Sequence, residues 1–426
     1  MTNCETPRLL MDLRLPSSFH VEKRTALKTA LGDNHVALLA AGRPPHRTAD
    51  ANYPFFANRN FFYLTGVEQE SALLLLSRRN GQDRDILFIP PADPLIERWQ
   101  GKRLTIAEAT AGSGLQEIGF TSSLDGILSD LLDGMEDHLF VDRQASDKQS
   151  ADVLELLARL LPGVDAKDLT PDLTRLRMIK SPAEIEMMRH AIQLTGRGIE
   201  AVMAMLRPGR MEYELWSAFQ NQLAMEGCLE PAFPSIIAAG ENALCLHYMN
   251  PRSRVVDGDL VQIDVGAIVG GLCADISRAY PANGKFSERQ RAIYKLVRAC
   301  QETAFAAIKP GIKLGDINER CKETARLGLV DLGLLAEDGN VGDYYWHNVS
   351  HHLGMDVHDV ADRDAPLQSG MVLTVEPGVY VPEWKIGLRI EDDVLVTEES
   401  CAILSQDIIR EPEEIEAALQ NMSRSL

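Results

Sequence analysis

Long apolar runs are missing from this sequence. No stretch approaches the roughly 18 apolar residues that a membrane-spanning helix needs, and the first residues, MTNCETPRLLMDLRLP, lack the basic-then-apolar pattern of a secretory signal. We therefore expect a cytoplasmic protein that has no membrane partner.

An excess of positive charge is missing too. The 43 Lys and Arg face 62 Asp and Glu, and the formal net charge of −19 opposes nucleic-acid binding.

Closely spaced cysteines are also absent. The seven cysteines are an odd number, the closest two (Cys228 and Cys245) are 17 residues apart, and no C-x-x-C pair occurs. This pattern excludes a disulfide-stapled scaffold and disfavours a thiolate zinc site. It predicts reduced thiols, most of them buried. The sequence likewise contains no G-x-S-x-G motif and no P-loop.

The chain is long enough, at 426 residues, for two or three domains. Residues 1–170 mix short apolar runs with helix-like stretches, which predicts an α/β domain without a catalytic cluster. The segment GSGLQEIG at 112–119 has its third glycine misplaced for a dinucleotide loop, so we interpret it as a turn. Turn-forming residues around Pro171 predict a boundary there, with a second domain over residues 171–426.

The second domain begins with helix signals. Ser181, Pro182 and Glu184 form an N-cap, a first-turn proline and a capping-box acid. One predicted helix follows, then a second that ends near Gly227 and a third over residues 288–308. The first carries an apolar face that we interpret as core: Ile185, Met188, Ile192, Ile199, Val202 and Leu206.

Two nine-residue segments of this domain resemble each other. GDLVQIDVG at 258–266 and GMVLTVEPG at 370–378 share an opening glycine, an apolar strand, a late acid and a closing glycine. The acids are Asp264 and Glu376, and each is followed by another acid, Asp275 after 11 residues and Glu391 after 15. Two β-hairpins with two carboxylates each suggest duplicated halves with a pseudo-twofold site between them, although chance similarity is an alternative.

Histidines concentrate in the same region. Five of the ten fall there: His247, His347, His351, His352 and His358. Four carboxylates with one or two imidazoles would suit two ions of Mn²⁺, Co²⁺, Fe²⁺ or Zn²⁺ that share bridging carboxylates. Each histidine alone would more often be an ordinary polar residue than a ligand. Since an unpaired carboxylate is costly to bury among apolar neighbours, the settings of Asp264 and Glu376 favour the metal interpretation.

Two further patterns leave alternatives open. His347 and His351 are four residues apart, but the intervening NVS lacks the glutamate of H-E-x-x-H, which disfavours a metalloprotease helix. Arg389 alternates with Glu391 and so projects to the same strand face. It could hold that carboxylate from behind, or it could form an ordinary surface ion pair.

The motifs, taken in order, resemble the aminopeptidase P and prolidase branch of the pita-bread dinuclear metallopeptidases. They are GENALCLHY, DGDLVQIDVG, CADISRAYPANGKF, HNVSHHLGMDVHDV, GMVLTVEPGVY and GLRIEDD, with RNFFYLTGVEQESALLLL and RLRMIKSPAEIEMMRHA upstream. The resemblance implies a mixed α/β (α+β) chain. A smaller creatinase-like α/β domain would precede a pita-bread catalytic domain made of two pseudo-twofold duplicated halves.

The resemblance also assigns roles to individual residues. It makes five residues metal ligands: Asp264, Asp275, His351, Glu376 and Glu391. Asp275 and Glu391 would bridge two divalent ions, with Mn²⁺ favoured over Co²⁺, Zn²⁺ or Fe²⁺. Glu376 would move the proton, while His247 and His358 would stand near the substrate carbonyl. His347 would line the proline-side pocket and Arg389 would support the ligands from behind.

The function implied by the resemblance is hydrolysis of the bond between an N-terminal residue and a penultimate proline, by a hydroxide shared between the two metals. The substrates would be proline-containing peptides, and the protein would form a homodimer or a larger homo-oligomer. A prolidase restricted to Xaa-Pro dipeptides and a non-catalytic pita-bread binding module are the alternatives. Four features depart from the family pattern and leave the substrate preference open. They are Asn348, His352, the short loop after His358 in which Arg363 is the only basic candidate, and Phe62, where some members carry a tryptophan that closes the pocket.

Overall fold

The computed structural model describes residues 13–132, 138–143, 155, 159 and 165–424. The chain divides into two compact units. One is Leu15–Leu176, and the other contains Arg177–Leu426 together with the first described residues, 13 and 14. The division lies six residues after the predicted boundary between 170 and 171. Of the described helices, none is both long and apolar enough to cross a membrane.

The first unit is built on a mixed β-sheet. Its strands are β1 (His35–Ala40), β2 (His46–Thr48), β3 (Ala51–Asn52), β4 (Leu73–Arg79), β5 (Gln82–Ile89), β6 (Glu117–Phe120), β7 (Leu139–Val141) and β8 (Lys167–Asp168). Six strands form the sheet in the order β6-β5-β4-β1-β7-β8, and β2 pairs with β3. The central strand β1 is buried along its whole length, as expected where both faces of a sheet are covered.

Helices surround this sheet. They are α1 (Ser17–Leu31), α2 (Arg59–Thr65), α3 (Pro94–Gln100), α4 (Ile106–Ser113) and α5 (Leu124–Leu132). A sixth helix, α6 (Thr170–Met178), begins in this unit and ends two residues after the division. The segment 112–119 covers the end of α4, a turn at Gly114 with φ of +70°, and the start of β6. This confirms the predicted turn. The order is helix, turn, strand, whereas a dinucleotide loop joins a strand to a following helix.

The second unit consists of two similar halves. The first half contains α7 (Pro182–Met205), α8 (Glu212–Met225), β9 (Ile236–Ala239), β10 (Leu260–Val265), β11 (Ile268–Val269), β12 (Leu272–Cys273) and β13 (Ile276–Pro281). The second contains α9 (Glu288–Ala307), α10 (Leu314–Asp331), β14 (Val372–Val375), β15 (Gly378–Val381), β16 (Ile386–Arg389), β17 (Asp392–Val396) and β18 (Cys401–Ile403). A last helix, α11, spans Pro412–Arg424.

Both halves share most of their plan. In each, a helix pair (α7 with α8, α9 with α10) precedes two antiparallel strands, β10 with β13 or β14 with β17. The third strand of the sheet differs, since β9 precedes these strands and pairs with β10, whereas β18 follows them and pairs with β17. A short hairpin lies between the two long strands of each half, β11–β12 in one and β15–β16 in the other. Because β15–β16 is the longer hairpin, the two acids are 15 residues apart in the second half and 11 in the first. The predicted duplication is confirmed, as is the mixed α/β fold.

Local signals located the helices of this unit well. The Ser181 hydroxyl accepts a bond from the Glu184 amide, while the Glu184 carboxylate accepts one from the Ser181 amide at 2.8 Å, so the predicted capping box is confirmed. The predicted core face of α7 is buried except at Ile185, which is half-buried. The six described cysteines are free thiols, and half of them are buried: Cys273, Cys300 and Cys321.

Candidate metal centre

A cavity of about 590 Å³ lies in the second unit, and all nine residues that the sequence singled out line it. Apolar side chains form part of its wall, among them Phe233, Ile236 and Leu246. The predicted residues are Asp264, Asp275, His351, Glu376, Glu391, His247, His347, His358 and Arg389. A cavity of this size, with convergent polar groups in a partly apolar wall, is typical of a small-ligand site.

Strand ends bring the four carboxylates together. Asp264 lies in β10, Asp275 immediately precedes β13, Glu376 immediately follows β14, and Glu391 immediately precedes β17. Within each half the two strands pair antiparallel, so the acids of one hairpin are neighbours. The halves meet where the Glu391 amide donates to the Ser277 carbonyl at 3.0 Å. All four carboxylates therefore lie at the junction of the halves.

The donor atoms are spaced as one cation would require. Asp275, His351 and Glu391 each offer a donor atom, and these three atoms lie within 4.8 Å of one another. The Nε2 atom of His351 is 3.5 Å from Asp275 Oδ2 and 3.5 Å from Glu376 Oε1. Two donors bound at about 2.1 Å to a tetrahedral cation lie about 3.4 Å apart. The side chains present therefore fit a divalent metal.

The backbone fixes the orientation of the His351 ring. Its Nδ1 lies 3.0 Å from the His352 carbonyl oxygen, which can only accept a hydrogen bond. The proton therefore belongs on Nδ1, and the Nε2 lone pair points at the carboxylates. The His351 amide and carbonyl are bound by Thr374, next to Glu376. This geometry is that of a histidine prepared to bind a metal through Nε2.

Arg389 holds a different carboxylate from the one expected. Its guanidinium donates to Asp264 Oδ2 at 2.5 Å, to Tyr380 Oη at 2.9 Å and to Ser277 Oγ at 3.0 Å. The predicted pairing with Glu391 is therefore wrong, and so is the alternative of a surface ion pair, since Arg389 is buried. The other oxygen of Asp264, Oδ1, is buried without a hydrogen-bond partner among the described residues. That orphaned acceptor is available to a cation.

Crowding and burial perturb the acids. Burial raises the pKa of Glu376 to about 7, against an opposing effect of the nearby His351 and Arg389. Burial, reinforced by the charge of Asp264, raises the pKa of Asp275 well above its usual range, and burial with the charge of Asp275 does the same for Glu391. Buried like charges of this kind are costly unless cations compensate them. The electrostatics therefore agree with the donor geometry.

His347 lies on the other side of Glu376. Its Nδ1 is 3.6 Å from Glu376 Oε2, and its Nε2 is 2.8 Å from Tyr380 Oη. Burial lowers the pKa of His347 to about 4, so the ring is neutral at pH 7. The segment from 346 to 352 contains no helix, so His347 and His351 are not a helical zinc pair.

The remaining histidines have distinct surroundings. The His358 ring packs edge-to-face on His351, with ring centroids 4.3 Å apart, and burial lowers its pKa. His247 is exposed on the loop after β9 and makes no hydrogen bond to any described residue. His352 is buried, and its contribution to the centre is the carbonyl that orients His351.

Sequence reasoning overlooked Tyr380. Its hydroxyl accepts a hydrogen bond from Arg389 and lies 2.8 Å from His347 Nε2. Tyr380 therefore connects the arginine that binds Asp264 to the histidine that lies beside Glu376. The available signal was a tyrosine on a short apolar strand directly after the acid of the second repeat. A buried tyrosine hydroxyl usually has a hydrogen-bond partner.

Two family models match this chain. The model of "Metallopeptidase family M24" matches residues 186–398, and that of "Aminopeptidase P, N-terminal domain" matches residues 20–140. The chain belongs to metallopeptidase family M24. The Xaa-Pro aminopeptidase of Haemophilus influenzae is 35% identical over 95% of this chain and 97% of its own.

Solved structures of aminopeptidase P have the same fold. Escherichia coli aminopeptidase P with the inhibitor Pro-Leu superposes with a TM-score of 0.90 at 31% identity, over 97% of this chain and 100% of the other. The zinc-substituted E. coli enzyme in complex with product gives a TM-score of 0.89 at 32% identity, over 96% and 99%. The expected pita-bread catalytic domain, with a smaller α/β domain before it, is thereby confirmed.

Proposed function

We propose that this chain is a metal-dependent aminopeptidase that removes the N-terminal residue from peptides whose second residue is proline. The observation that carries the proposal is the convergence of four carboxylates and His351 on one cavity, in an M24 chain with near full-length similarity to Xaa-Pro aminopeptidases. An Xaa-Pro bond needs a dedicated enzyme because proline lacks the amide N–H and restrains the backbone.

Five residues would hold the metal: Asp264, Asp275, His351, Glu376 and Glu391. When bound there, divalent cations would lower the pKa of a water molecule and stabilise negative charge on the scissile carbonyl. We propose two ions, with Asp275 and Glu391 shared between them. We propose Mn²⁺ as the native metal, since the donor set is mostly carboxylate.

Glu376 is the proposed proton carrier. Its carboxylate lies inside the centre, with one oxygen 3.5 Å from His351 Nε2 and the other 3.6 Å from His347 Nδ1, so it would be within reach of a water molecule held there. It would accept a proton from the attacking water and deliver it to the leaving proline nitrogen. The amide bond breaks, and the products are a free amino acid and a peptide with N-terminal proline.

The other cavity residues would bind the substrate. His247 and His358 would donate imidazole N–H bonds to the carbonyl oxygen as negative charge develops on it. His347, neutral at pH 7, would line the side of the pocket that receives proline. The Arg389 guanidinium binds Asp264, Tyr380 and Ser277. Arg389 would therefore affect substrate binding only through these three residues.

A prolidase is the second candidate. Arg363 is an exposed cation on the cavity wall, and it could capture the carboxylate of an Xaa-Pro dipeptide. A non-catalytic binding module is disfavoured, because such proteins typically lose metal ligands and all five line the cavity here.

The deciding experiment is hydrolysis of Ala-Pro-Ala and of Ala-Pro by purified protein, with added Mn²⁺ or with a chelator. We expect metal-dependent release of alanine from the tripeptide. Cleavage of the dipeptide alone would indicate a prolidase. The control is Glu376→Gln, which should abolish turnover and leave the fold intact. No cleavage of either peptide by the metal-loaded wild type would refute the proposed function.

Location, assembly and domain limits complete the proposal. We propose a cytoplasmic location, supported by free thiols that include the exposed Cys245.

We propose a homodimer or larger homo-oligomer, supported by helix α3, which buries none of its residues and exposes Leu95 and Trp99. We propose domain limits of 1–170 and 171–426. Light scattering would measure the assembly, and limited proteolysis would locate the boundary.

A further inference from the structure

A second buried carboxylate lies outside the metal centre. Glu212, the first residue of helix α8, is fully buried. Its Oε1 accepts from the Ala239 amide and the Asn242 side chain, both at 2.8 Å. Its Oε2 accepts from the Ser253 amide at 2.9 Å and the Tyr248 hydroxyl at 3.0 Å. Four donors thus converge on one side chain.

The four donors belong to the end of β9 and the loop that follows it. They lie between residues 239 and 253, and the Glu212 amide also donates to the Ser253 carbonyl at 3.0 Å. The carboxylate accepts no bond from the amides of its own helix, so it is not a helix cap. Its contacts instead close the loop that runs from the end of β9 to residue 253.

This loop carries His247. The residue is exposed, lines the cavity, and its ring makes no hydrogen bond within the described part of the chain. Its position therefore depends on the backbone of the loop. Tyr248, the next residue, is bound directly by Glu212. The neighbouring Leu246 and Met249 also line the cavity.

We propose that Glu212 is a positioning residue of the reaction, which holds the loop 240–253 so that the imidazole of His247 stands over the metal centre. The inference rests on the proposed function and adds a residue that contacts neither metal nor substrate. A displacement of about 1 Å in a group that supports the reacting carbonyl can cost about a hundredfold in rate.

The test is a double-mutant cycle with Glu212→Gln and His247→Ala, assayed with Ala-Pro-Ala and Mn²⁺. Glutamine keeps the size of the side chain but directs an NH₂ group at two of the donors. We expect Glu212→Gln to lower kcat about tenfold or more in the wild-type background, with a smaller change in KM and an unchanged metal content. In the His247→Ala background the same change should cost less than about twofold.

Two further variants keep the test decisive if Glu212→Gln does not fold, and supply its control. Tyr248→Phe removes a single hydroxyl contact, so it should fold even if Glu212→Gln does not, and it should lower kcat about two- to tenfold. Tyr248→Phe is likewise measured in the wild-type and the His247→Ala backgrounds. Tyr213→Phe is the matched control, because Tyr213 adjoins Glu212 but is exposed. It should leave kcat unchanged.

Amide hydrogen exchange over residues 240–253 supplies a readout that does not depend on activity. Glu212→Gln should accelerate exchange there, and Tyr213→Phe should not. Equal losses of kcat in both backgrounds, or unchanged exchange, would overturn the positioning role. Failure of the proposed function gives a different result: the wild type would cleave no Xaa-Pro peptide, yet exchange would still rise in Glu212→Gln.

Discussion

The buried ion cluster behind His358 offers a quantitative test of how the cavity wall is held. Asp359 pairs with Arg177 through one oxygen and with Lys180 through the other, the latter at 3.0 Å, and the side chains of all three are 1% exposed. Arg177 also binds Asp356 at 2.8 Å, and the side chain of Asp356 is 39% exposed. The Asp359 amide closes the loop by donating to the His352 carbonyl at 2.9 Å.

Replacement of Asp359 with Asn would remove a buried counter-charge that Arg177 and Lys180 share. Removal of one partner from a buried ion pair typically costs about 3 to 5 kcal/mol. In a cooperative unit of about 250 residues, each kcal/mol lowers Tm by roughly 2 to 4 °C. We therefore expect Asp359→Asn to lower Tm by about 6 to 20 °C. Asp356→Asn, the matched control, should cost under about 1 kcal/mol, because water can replace the partly exposed carboxylate.

The assay is thermal and urea unfolding of both variants and wild type between pH 5 and 8. Burial alone would raise the pKa of Asp359, but Arg177 and Lys180 outweigh burial and hold that pKa below its usual range. When the pKa of a carboxyl group is lower in the folded than in the unfolded chain, its stabilising effect is complete at any pH above the unfolded-state pKa. That effect is lost only as the pH falls towards the folded-state pKa. The cost of Asp359→Asn should therefore be constant from pH 5 to 8. A cost no greater than that of Asp356→Asn would refute the reasoning.

Three more variants probe other parts of the chain. Asp264→Asn should lower the metal content by at least one ion per chain, measured by elemental analysis, and full occupancy would remove Asp264 from the ligand set. Burial lowers the pKa of His20 to about 4, so the folded chain resists protonation. Wild type should lose about 3 kcal/mol of unfolding free energy from pH 6.5 to 4 relative to His20→Gln, and equal pH profiles would contradict this. Ser181→Ala should cost about 1 kcal/mol in urea unfolding through the lost N-cap, and an unchanged midpoint would show that Glu184 alone caps α7.

Local sequence signals predicted much of the catalytic unit. The capping residues Ser181 and Glu184, and the spacing of apolar residues in α7, depend on contacts within one or two helical turns. The acids Asp264 and Glu376 stood out because each follows an apolar strand and precedes a glycine within two residues. Such signals are readable in sequence because the interactions that decide them are short-range.

Contacts between distant strands were not predictable in this way. The sequence left open whether Arg389 holds Glu391, two residues away, or forms a surface ion pair, but it binds Asp264, 125 residues earlier in the chain. That choice depends on how the two halves meet, which no local pattern encodes. His351 and His352 illustrate the same limit, because adjacent residues of an extended chain point to opposite sides. His351 faces the carboxylates, while His352 is buried beside Leu373.

The duplication explains why the centre requires both halves. Asp264 and Asp275 come from the first half, and His351, Glu376 and Glu391 come from the second. The contacts that orient these acids also cross between the halves. Arg389 of the second half holds Asp264, and Asp393 of the second half accepts from the Asp275 amide at 3.2 Å.

A buried ion pair joins the halves directly behind the centre. Arg278 of β13 binds Asp392 of β17 at 2.8 Å, and both side chains are fully buried. The Arg278 guanidinium also donates to the Glu391 carbonyl. A change that separates β13 from β17 would therefore displace Glu391 and break the Arg278–Asp392 ion pair at the same time. We therefore expect metal binding and the stability of the interface between the halves to be coupled, since Arg278 contacts both Asp392 and the backbone of Glu391.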